Sequence, residues 1–107
     1  MTAALPGTGF EALRAHLLEY SVKRGDFTLK SGRKSSWFID SKQTVCRPEA
    51  MVLVADAVLS VLPDDVDAIG GLTMGADPVA FITAGVAATR GRGLKAFSVR
   101  VWRLRRR

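Results

Sequence analysis

Three basic side chains lie close together in a polar segment near residue 30. Lys30, Arg33 and Lys34 surround Gly32. Ammonium and guanidinium groups form charge-assisted hydrogen bonds with phosphate oxygens, so this composition suits an anionic ligand such as a pyrophosphate. On charge pattern alone, a solvated hairpin loop is the favoured interpretation of the same residues.

A second candidate anion site is the glycine-containing segment from Gly70 to Pro78. It lies between the carboxyl end of a predicted strand and the start of a predicted helix, where open α/β sheets bind ligands. Backbone N–H groups and the positive helix end favour phosphate there, and glycines let a ligand approach the backbone closely. The segment matches neither the P-loop pattern nor Gly-x-Gly-x-x-Gly, which disfavours a P-loop NTPase or a dinucleotide enzyme. A tight strand-to-helix turn without a ligand is an equally good interpretation.

Arg100 directly follows the next predicted strand, at the same edge of the sheet as Gly71. An arginine and a set of backbone amides would then converge on one anion. Asp77, just before Pro78, is predicted to be a helix N-cap and not an acid catalyst.

Other residues with chemical potential receive no catalytic or metal role. Cys46 and His16 are the single cysteine and histidine, which excludes an internal disulfide, a cysteine zinc cage and a histidine-rich metal site. Cys46 is interpreted as a small buried hydrophobic residue and His16 as a packed or surface histidine. Trp37 and Phe38 could stack on a flat ring, although packing is the commoner fate of aromatic side chains.

The elements that must position these residues follow from periodicity and turn signals. The first half is predicted to form an amphipathic helix, a hairpin and a second helix: Thr8 to about Tyr20 with a Thr8/Glu11 capping box, Phe27–Leu29 with Trp37–Ile39, and Pro48 to Leu62. The second half is predicted to form a βαβ unit: a strand over Val66–Ile69, a helix from Pro78 to about Ala88 capped by Asp77, and a strand over Leu94–Val99. The predicted fold class is therefore α/β with right-handed parallel connections.

Length and charge restrict the remaining possibilities. The 107 residues suit one domain or part of one. No apolar run reaches the roughly 18 residues of a membrane span and no secretory signal is recognisable, so a cytoplasmic protein without a membrane partner is expected. The net charge is +6, and four of the 16 basic residues lie in the last five positions. Without those four, 12 basic residues face 10 acidic ones, a balance of +2.

Several segments together resemble orotate phosphoribosyltransferase, over a region from about Phe10 to Arg100. The segments that carry the resemblance are Phe27–Ser35, Trp37–Asp40, Gly70–Pro78 and Phe97–Arg100. The resemblance implies a truncated type I phosphoribosyltransferase fold, with an N-terminal helix and hairpin forming part of a hood, followed by the first βαβ of a parallel sheet. It also implies transfer of a 5-phosphoribosyl group from phosphoribosyl pyrophosphate to orotate in pyrimidine synthesis, with Mg²⁺, by a homodimer.

The same resemblance assigns substrate contacts. Lys30 would contact phosphoribosyl pyrophosphate, and Phe38 and Ile39 would border orotate. Thr73 and Met74 would lie in the loop beside the phosphoribosyl donor, where some family members carry a Tyr-Lys pair. Arg100 matches the arginine that opens the family's mobile, phosphate-binding loop.

The family pattern stops after Arg100. Residues 101–107 form a basic tail unlike the lysine-rich, glycine-containing loop and acidic strand of family members, so the expected organisation is 1–100 as the N-terminal part of the domain and 101–107 as a non-family tail. A shifted reading frame is one hypothesis for the change; resequencing tests it, and an intact frame with the same stop rules it out. The chain alone is expected to be inactive and poorly soluble.

Two alternatives stay open. In one, the chain is a small basic module that binds nucleic acid or phosphate through its tail and Trp102, which is the less favoured interpretation because the body is nearly charge-balanced. In the other, it is a phosphoribosyltransferase for another base, against which the aromatic strand at Trp37 to Ile39 argues.

Overall fold

The computed structural model describes residues 8–101. Their elements, in chain order, are α1 (Thr8–His16), a π-helical turn (Leu17–Ser21), β1 (Val22–Thr28), β2 (Lys34–Ile39), α2 (Lys42–Val45), α3 (Pro48–Val61), β3 (Ala68–Leu72), α4 (Ala76–Thr89) and β4 (Lys95–Val99). The mixed α/β class predicted from the sequence is confirmed.

The first helix is shorter as an α-helix than predicted. α1 ends at His16, and the chain continues to Ser21 in a wider turn, in which the Val22 N–H donates to the Leu17 carbonyl five residues earlier. This widening turns Ser21 inward, where it is buried. The side chain of Thr8, and with it the predicted capping box, lies outside the described part of the chain.

The hairpin is confirmed, with longer strands than predicted. β1 and β2 pair antiparallel, from Val22 opposite Ile39 to Thr28 opposite Lys34. A bulge between Arg24 and Phe27 interrupts the register, and Gly25 there has φ +152°, a conformation that strongly favours glycine.

Small residues form much of the core between the helices. Pro48 occupies the first turn of α3, as predicted, because its missing N–H would have no partner there. α3 packs on both α1 and α4. The buried apolar residues are Val45, Ala50, Val54, Ala55, Ala80, Ala87 and Leu94.

The predicted βαβ unit is also confirmed, but two of its boundaries were wrong. β3 and β4 pair parallel with Ile69 opposite Ala96. β3 does not end at Ile69: it continues through Gly70 and Gly71, which lie in the strand and not in the loop. α4 begins at Ala76 with Gly75 at the N-cap, so Asp77 lies inside the first turn and makes no capping hydrogen bond. A carboxylate in the first turn still interacts favourably with the helix dipole.

The hairpin and the βαβ unit are separate packing regions. β1 and β2 pack mainly on each other and on the π turn, whereas β3, β4 and α4 pack against one another. The radius of gyration is 16.1 Å, above the roughly 13 Å typical of a compact domain of this length. No helix in the described residues is long and apolar enough to cross a membrane.

Candidate functional site

The carboxyl edge of the βαβ unit brings the predicted loop and Arg100 together. Leu72 pairs with Val99 at the ends of the two parallel strands, and the Thr73 N–H donates to the Val99 carbonyl at 3.0 Å. Arg100 is the next residue after Val99 and is exposed. The prediction that Arg100 follows the strand at the edge where the glycine segment ends is therefore confirmed for the backbone.

The loop at this edge is short and strained at one residue. It consists of Thr73, Met74 and Gly75, and the Gly75 N–H donates to the Thr73 carbonyl at 3.0 Å. Met74 has φ +66°, which is uncommon for a residue with a side chain, and its side chain is exposed. Held backbone strain of this kind clusters at ligand-binding loops.

The glycines serve two different purposes. A Cβ on Gly70 would lie 2.4 Å from the Phe97 carbonyl oxygen, and one on Gly71 would lie 2.8 Å from the Ala76 Cβ. These two glycines therefore permit close packing inside the unit, which corrects the expectation that they admit a ligand. A Cβ on Gly75 would meet nothing within 4 Å, so the open space lies at the start of α4.

One carboxylate oxygen in the first turn of α4 lacks a hydrogen-bond partner in the part of the chain that the structure describes. Oδ1 of Asp77 is buried and has no hydrogen-bond partner among the described residues. Among those residues there is no cluster of three or more histidine, cysteine, aspartate or glutamate side chains that could hold a metal ion. The described residues therefore supply no protein cage for Mg²⁺.

The predicted hairpin contacts lie elsewhere. Lys30 is exposed in the turn between the strands, which is closed by the Leu29 N–H donating to the Arg33 carbonyl at 2.8 Å. Phe38 is half-buried edge-on against Phe27, with ring centroids 4.5 Å apart. Its neighbour Ile39 is half exposed.

The structure does not gather all predicted residues into one cavity. A cavity of about 510 Å³ lies on the hairpin and is lined by Asp26, Phe27, Thr28, Lys34, Ser35 and Ser36. Lys30, Gly71 and Arg100 do not line it. This cavity does not bring those three residues together, and the contact of Lys30 and Arg100 with one phosphoribosyl donor stays a prediction.

A chain of polar side chains at the base of the hairpin, buried at Ser21 and Thr44 and exposed at Glu49, was not predicted from the sequence. His16 Nε2 lies 2.9 Å from Glu49 Oε2, His16 Nδ1 lies 3.1 Å from Thr44 Oγ1, and Thr44 Oγ1 lies 2.6 Å from Ser21 Oγ. The hydrogen bond from His16, followed by one from the Glu49 backbone, lowers the pKa of the Glu49 carboxyl. The partners of His16 are 28 and 33 residues away in sequence, a separation that no local pattern encodes.

A second carboxyl beside this base is also stabilised in its charged form. Hydrogen bonds from the Gln43 and Lys42 side chains lower the pKa of Asp40. Asp40 follows β2 directly, so both ends of the hairpin base carry ordered polar contacts.

Comparison with known proteins gives a consistent result. No protein-family model matches the chain. The chain is 43% identical over 90 residues to the orotate phosphoribosyltransferase of Streptomyces avermitilis, a match that covers 83% of this chain and 50% of the relative. Among solved structures, a phosphoribosyltransferase from Corynebacterium diphtheriae superposes with a TM-score of 0.71 at 29% identity, over 88% of this chain and 51% of that one. Orotate phosphoribosyltransferase from Mycobacterium tuberculosis superposes with a TM-score of 0.66 at 32% identity, over 86% and 51%.

The parallel βαβ unit, its strained edge loop and these superpositions define a type I phosphoribosyltransferase fold, of which the chain carries part. The chain spans about half the length of the curated relatives it matches. Those relatives are orotate phosphoribosyltransferases, and the chain corresponds to the N-terminal portion of a protein of that family.

Proposed function

We propose that this chain supplies the N-terminal portion of an orotate phosphoribosyltransferase, which transfers a 5-phosphoribosyl group from phosphoribosyl pyrophosphate to orotate in pyrimidine synthesis. The observation that carries the proposal is the pairing of Leu72 with Val99, because it sets the strained Thr73–Gly75 loop beside Arg100 at the ligand-binding edge of a parallel sheet. Relatives and structural neighbours of that activity support it.

The chemistry needs positive charge more than a nucleophile. Breaking the bond between the ribose C1 and pyrophosphate builds positive charge on the sugar and negative charge on the leaving group. Arg100, loop amides and the start of α4 are groups that stabilise developing phosphate charge. In this proposal Arg100, Thr73 and Met74 face the donor, and no covalent intermediate forms.

Magnesium belongs to this proposal as a component of the substrate. Mg²⁺ binds substrate phosphates together with few protein carboxylates. In this proposal the ion binds the pyrophosphate of the donor.

The hairpin supplies the second set of contacts. Lys30 at its tip would contact the donor, and Phe38 and Ile39 would border the flat orotate ring. Support comes from the exposure of Lys30 and Ile39, which leaves both available to a ligand. Because β1 and β2 pack mainly on each other and on the π turn, we propose that the remainder of the domain, or the second subunit of a homodimer, completes the site. Cys46 is exposed, so the expectation of a small buried residue at that position was wrong.

Turnover by a chimera tests the proposal. Residues 1–100 are joined to the part of the Streptomyces avermitilis relative that follows its match to this chain, and orotate consumption is measured with phosphoribosyl pyrophosphate and Mg²⁺. We expect turnover by the chimera and none by the 107-residue chain. A chimera that folds, as judged by circular dichroism, but does not consume orotate contradicts the proposed activity. Turnover by the 107 residues alone contradicts the proposal that the site needs the second half.

A further inference from the structure

The geometry points to a hydrogen-bonded clasp, formed by Glu49, His16, Thr44 and Ser21, that fixes the angle at which the hairpin leaves the helices. His16 and Thr44 are then positioning residues for Lys30 and the aromatic strand. This inference rests on the proposed function for its consequence at the ligand, whereas the clasp itself is tested independently of any ligand.

With a neutral imidazole at His16, the direction of every hydrogen bond in the clasp follows from the charge on Glu49. The Glu49 carboxylate can only accept, so His16 Nε2 carries the proton that lies between them. In the neutral imidazole Nδ1 then accepts from the Thr44 hydroxyl, and the Thr44 oxygen accepts from the Ser21 hydroxyl. Glu49 thus sets the orientation of two hydroxyl groups that it does not touch.

Burial gives these bonds their importance. Ser21 and Thr44 are fully buried, at 0% exposure, and the His16 side chain is 9% exposed. Tyr20 stacks at a tilt on the His16 ring with centroids 4.5 Å apart, and the Arg47 guanidinium lies 4.0 Å from the centre of the Tyr20 ring. Water therefore has little access to replace a lost partner, and a buried hydroxyl without its partner is costly.

Both strands of the hairpin meet at Ser21. β1 begins at the next residue, and the Asp40 N–H, which directly follows β2, donates to the Ser21 carbonyl at 2.8 Å. The π turn places the Ser21 side chain inward while its carbonyl faces Asp40. The Ser21 hydroxyl is the point at which this shared base is held to α2.

A small change of angle at the base of the hairpin displaces its tip by several ångströms. β1 has seven residues, which at about 3.3 Å each put the tip about 23 Å from Ser21. A tilt of about 10° at the base moves a point at that distance by about 4 Å, more than a hydrogen bond can tolerate. Cationic contacts made by Lys30 thus depend on polar groups far from the ligand.

Hydrogen exchange of the 107-residue chain tests the clasp. Thr44→Val removes the central hydroxyl at nearly constant volume, and Thr44→Ser retains it. Thr83→Val is the matched control, because Thr83 is equally buried but its hydroxyl has no hydrogen-bond partner among the described residues. We expect Thr44→Val to speed exchange of the β1 and β2 amides about tenfold relative to those of β3 and β4. This is the effect expected when one buried hydroxyl, that of Ser21, loses its hydrogen-bond partner. Thr44→Ser and Thr83→Val should leave that ratio within about twofold of the parent.

Two results would overturn the clasp: an equal acceleration in both regions, which assigns Thr44 to general stability, or an unchanged hairpin. If Thr44→Val does not fold, Ser21→Ala is used, which keeps the His16–Thr44 bond and should give a smaller shift of the same kind.

Donor binding tests the positioning role. Affinity for phosphoribosyl pyrophosphate with Mg²⁺ is measured by calorimetry on the chimera used to test the proposed function, here the parent, and on the same chimera carrying Thr44→Val or Thr44→Ser. Positioning predicts weaker binding by Thr44→Val and rescue by Thr44→Ser, whereas a loosened hairpin with full affinity overturns it. A parent that binds no donor contradicts the proposed function, and the exchange result still decides the clasp.

Discussion

The hairpin and the βαβ unit are held in shape by different interactions. In the βαβ unit the glycines at 70 and 71 let backbone and side chains approach so closely that an added methyl group would collide. Most residues of the two hairpin strands are exposed, and Trp37 and Ile39 are each 50% exposed. Its internal order comes from strand pairing and from the contact of Phe27 with Phe38.

This difference indicates where each region is vulnerable. A substitution inside the βαβ unit is expected to destabilise its closely packed backbone. A substitution in the hairpin is expected to destabilise mainly the hairpin and its base. The two candidate sets of substrate contacts therefore lie on regions of unequal stability, and the relation between them depends on the polar base and on the remainder of the domain.

The largest effect is expected at the tightest contact of the βαβ unit. Gly70→Ala would place a Cβ 2.4 Å from the Phe97 carbonyl oxygen, and overpacking of this kind costs up to about 3 kcal/mol. Urea unfolding followed by circular dichroism measures the loss. Gly75→Ala is the control: its site is helical and open, so we expect no loss and a gain of up to about 1 kcal/mol. Equal stability of the two variants would contradict the close packing described for β3.

A smaller loss is expected where the βαβ unit joins α3. Arg92 donates to the carbonyls of Pro63 and Val66 at 2.7 and 3.2 Å, so Arg92→Ala leaves both acceptors without that partner. We expect a loss of about 2 kcal/mol in the free energy of unfolding. Arg90→Ala removes an exposed ion pair with Asp56 and should cost about 0.5 kcal/mol or less. If the two variants lose the same stability, the hydrogen bonds from Arg92 to the Pro63 and Val66 carbonyls do not contribute as described.

In the hairpin, Phe27→Ala should act locally. It removes the edge-on contact with Phe38. Such an aromatic pair contributes about 1 kcal/mol to stability in addition to the burial of apolar surface. We expect faster hydrogen exchange in β1 and β2 and little change in β3 and β4. Trp37→Ala, on a half-exposed site, should disturb the hairpin less. Acceleration in all four strands by Phe27→Ala would refute the separation of the two regions.

The smallest effect is the pH dependence at the base. The pKa of Glu49 is lowered in the folded chain, mainly by the hydrogen bond from His16, so this carboxylate stabilises the fold above its unfolded pKa, near 4.5. That contribution is lost as the pH falls through the lower folded pKa. Glu49→Gln should therefore flatten the acid side of a plot of urea midpoint against pH. In a His16→Gln background, Glu49→Gln should change that slope less. An identical change in both backgrounds would show that His16 is not the cause of the lowered Glu49 pKa.

Local signals in the sequence predicted most of the fold. Pro48 marked the start of α3, and Gly32 marked the turn of the hairpin, since each residue restricts or permits particular backbone angles. The βαβ order placed Arg100 at the sheet edge. The extent of β3 was not predictable in the same way, because glycine is a turn signal unless a close neighbour such as Phe97 is known.

Long-range features of the site could not be predicted from the sequence, because they depend on neighbours that are far apart in the chain. His16 meets Thr44 and Glu49 only after three helical elements pack together, and the angle of the hairpin depends on that packing. The family resemblance implies that Lys30 and Arg100 contact one donor, and the cavity on the hairpin is lined by neither residue.

Donor binding by the chimera of residues 1–100 and the remainder of the relative gives the sharpest test of the proposed site. Calorimetric titration with phosphoribosyl pyrophosphate and Mg²⁺ is compared for the unsubstituted chimera, Arg100→Ala and the control Arg14→Ala, an exposed arginine on α1. We expect saturable binding that Arg100→Ala weakens about tenfold or more, as expected for a charged hydrogen bond to phosphate, and that Arg14→Ala leaves unchanged. Absence of binding by the folded chimera, or equal weakening by both substitutions, would contradict the proposed role of Arg100.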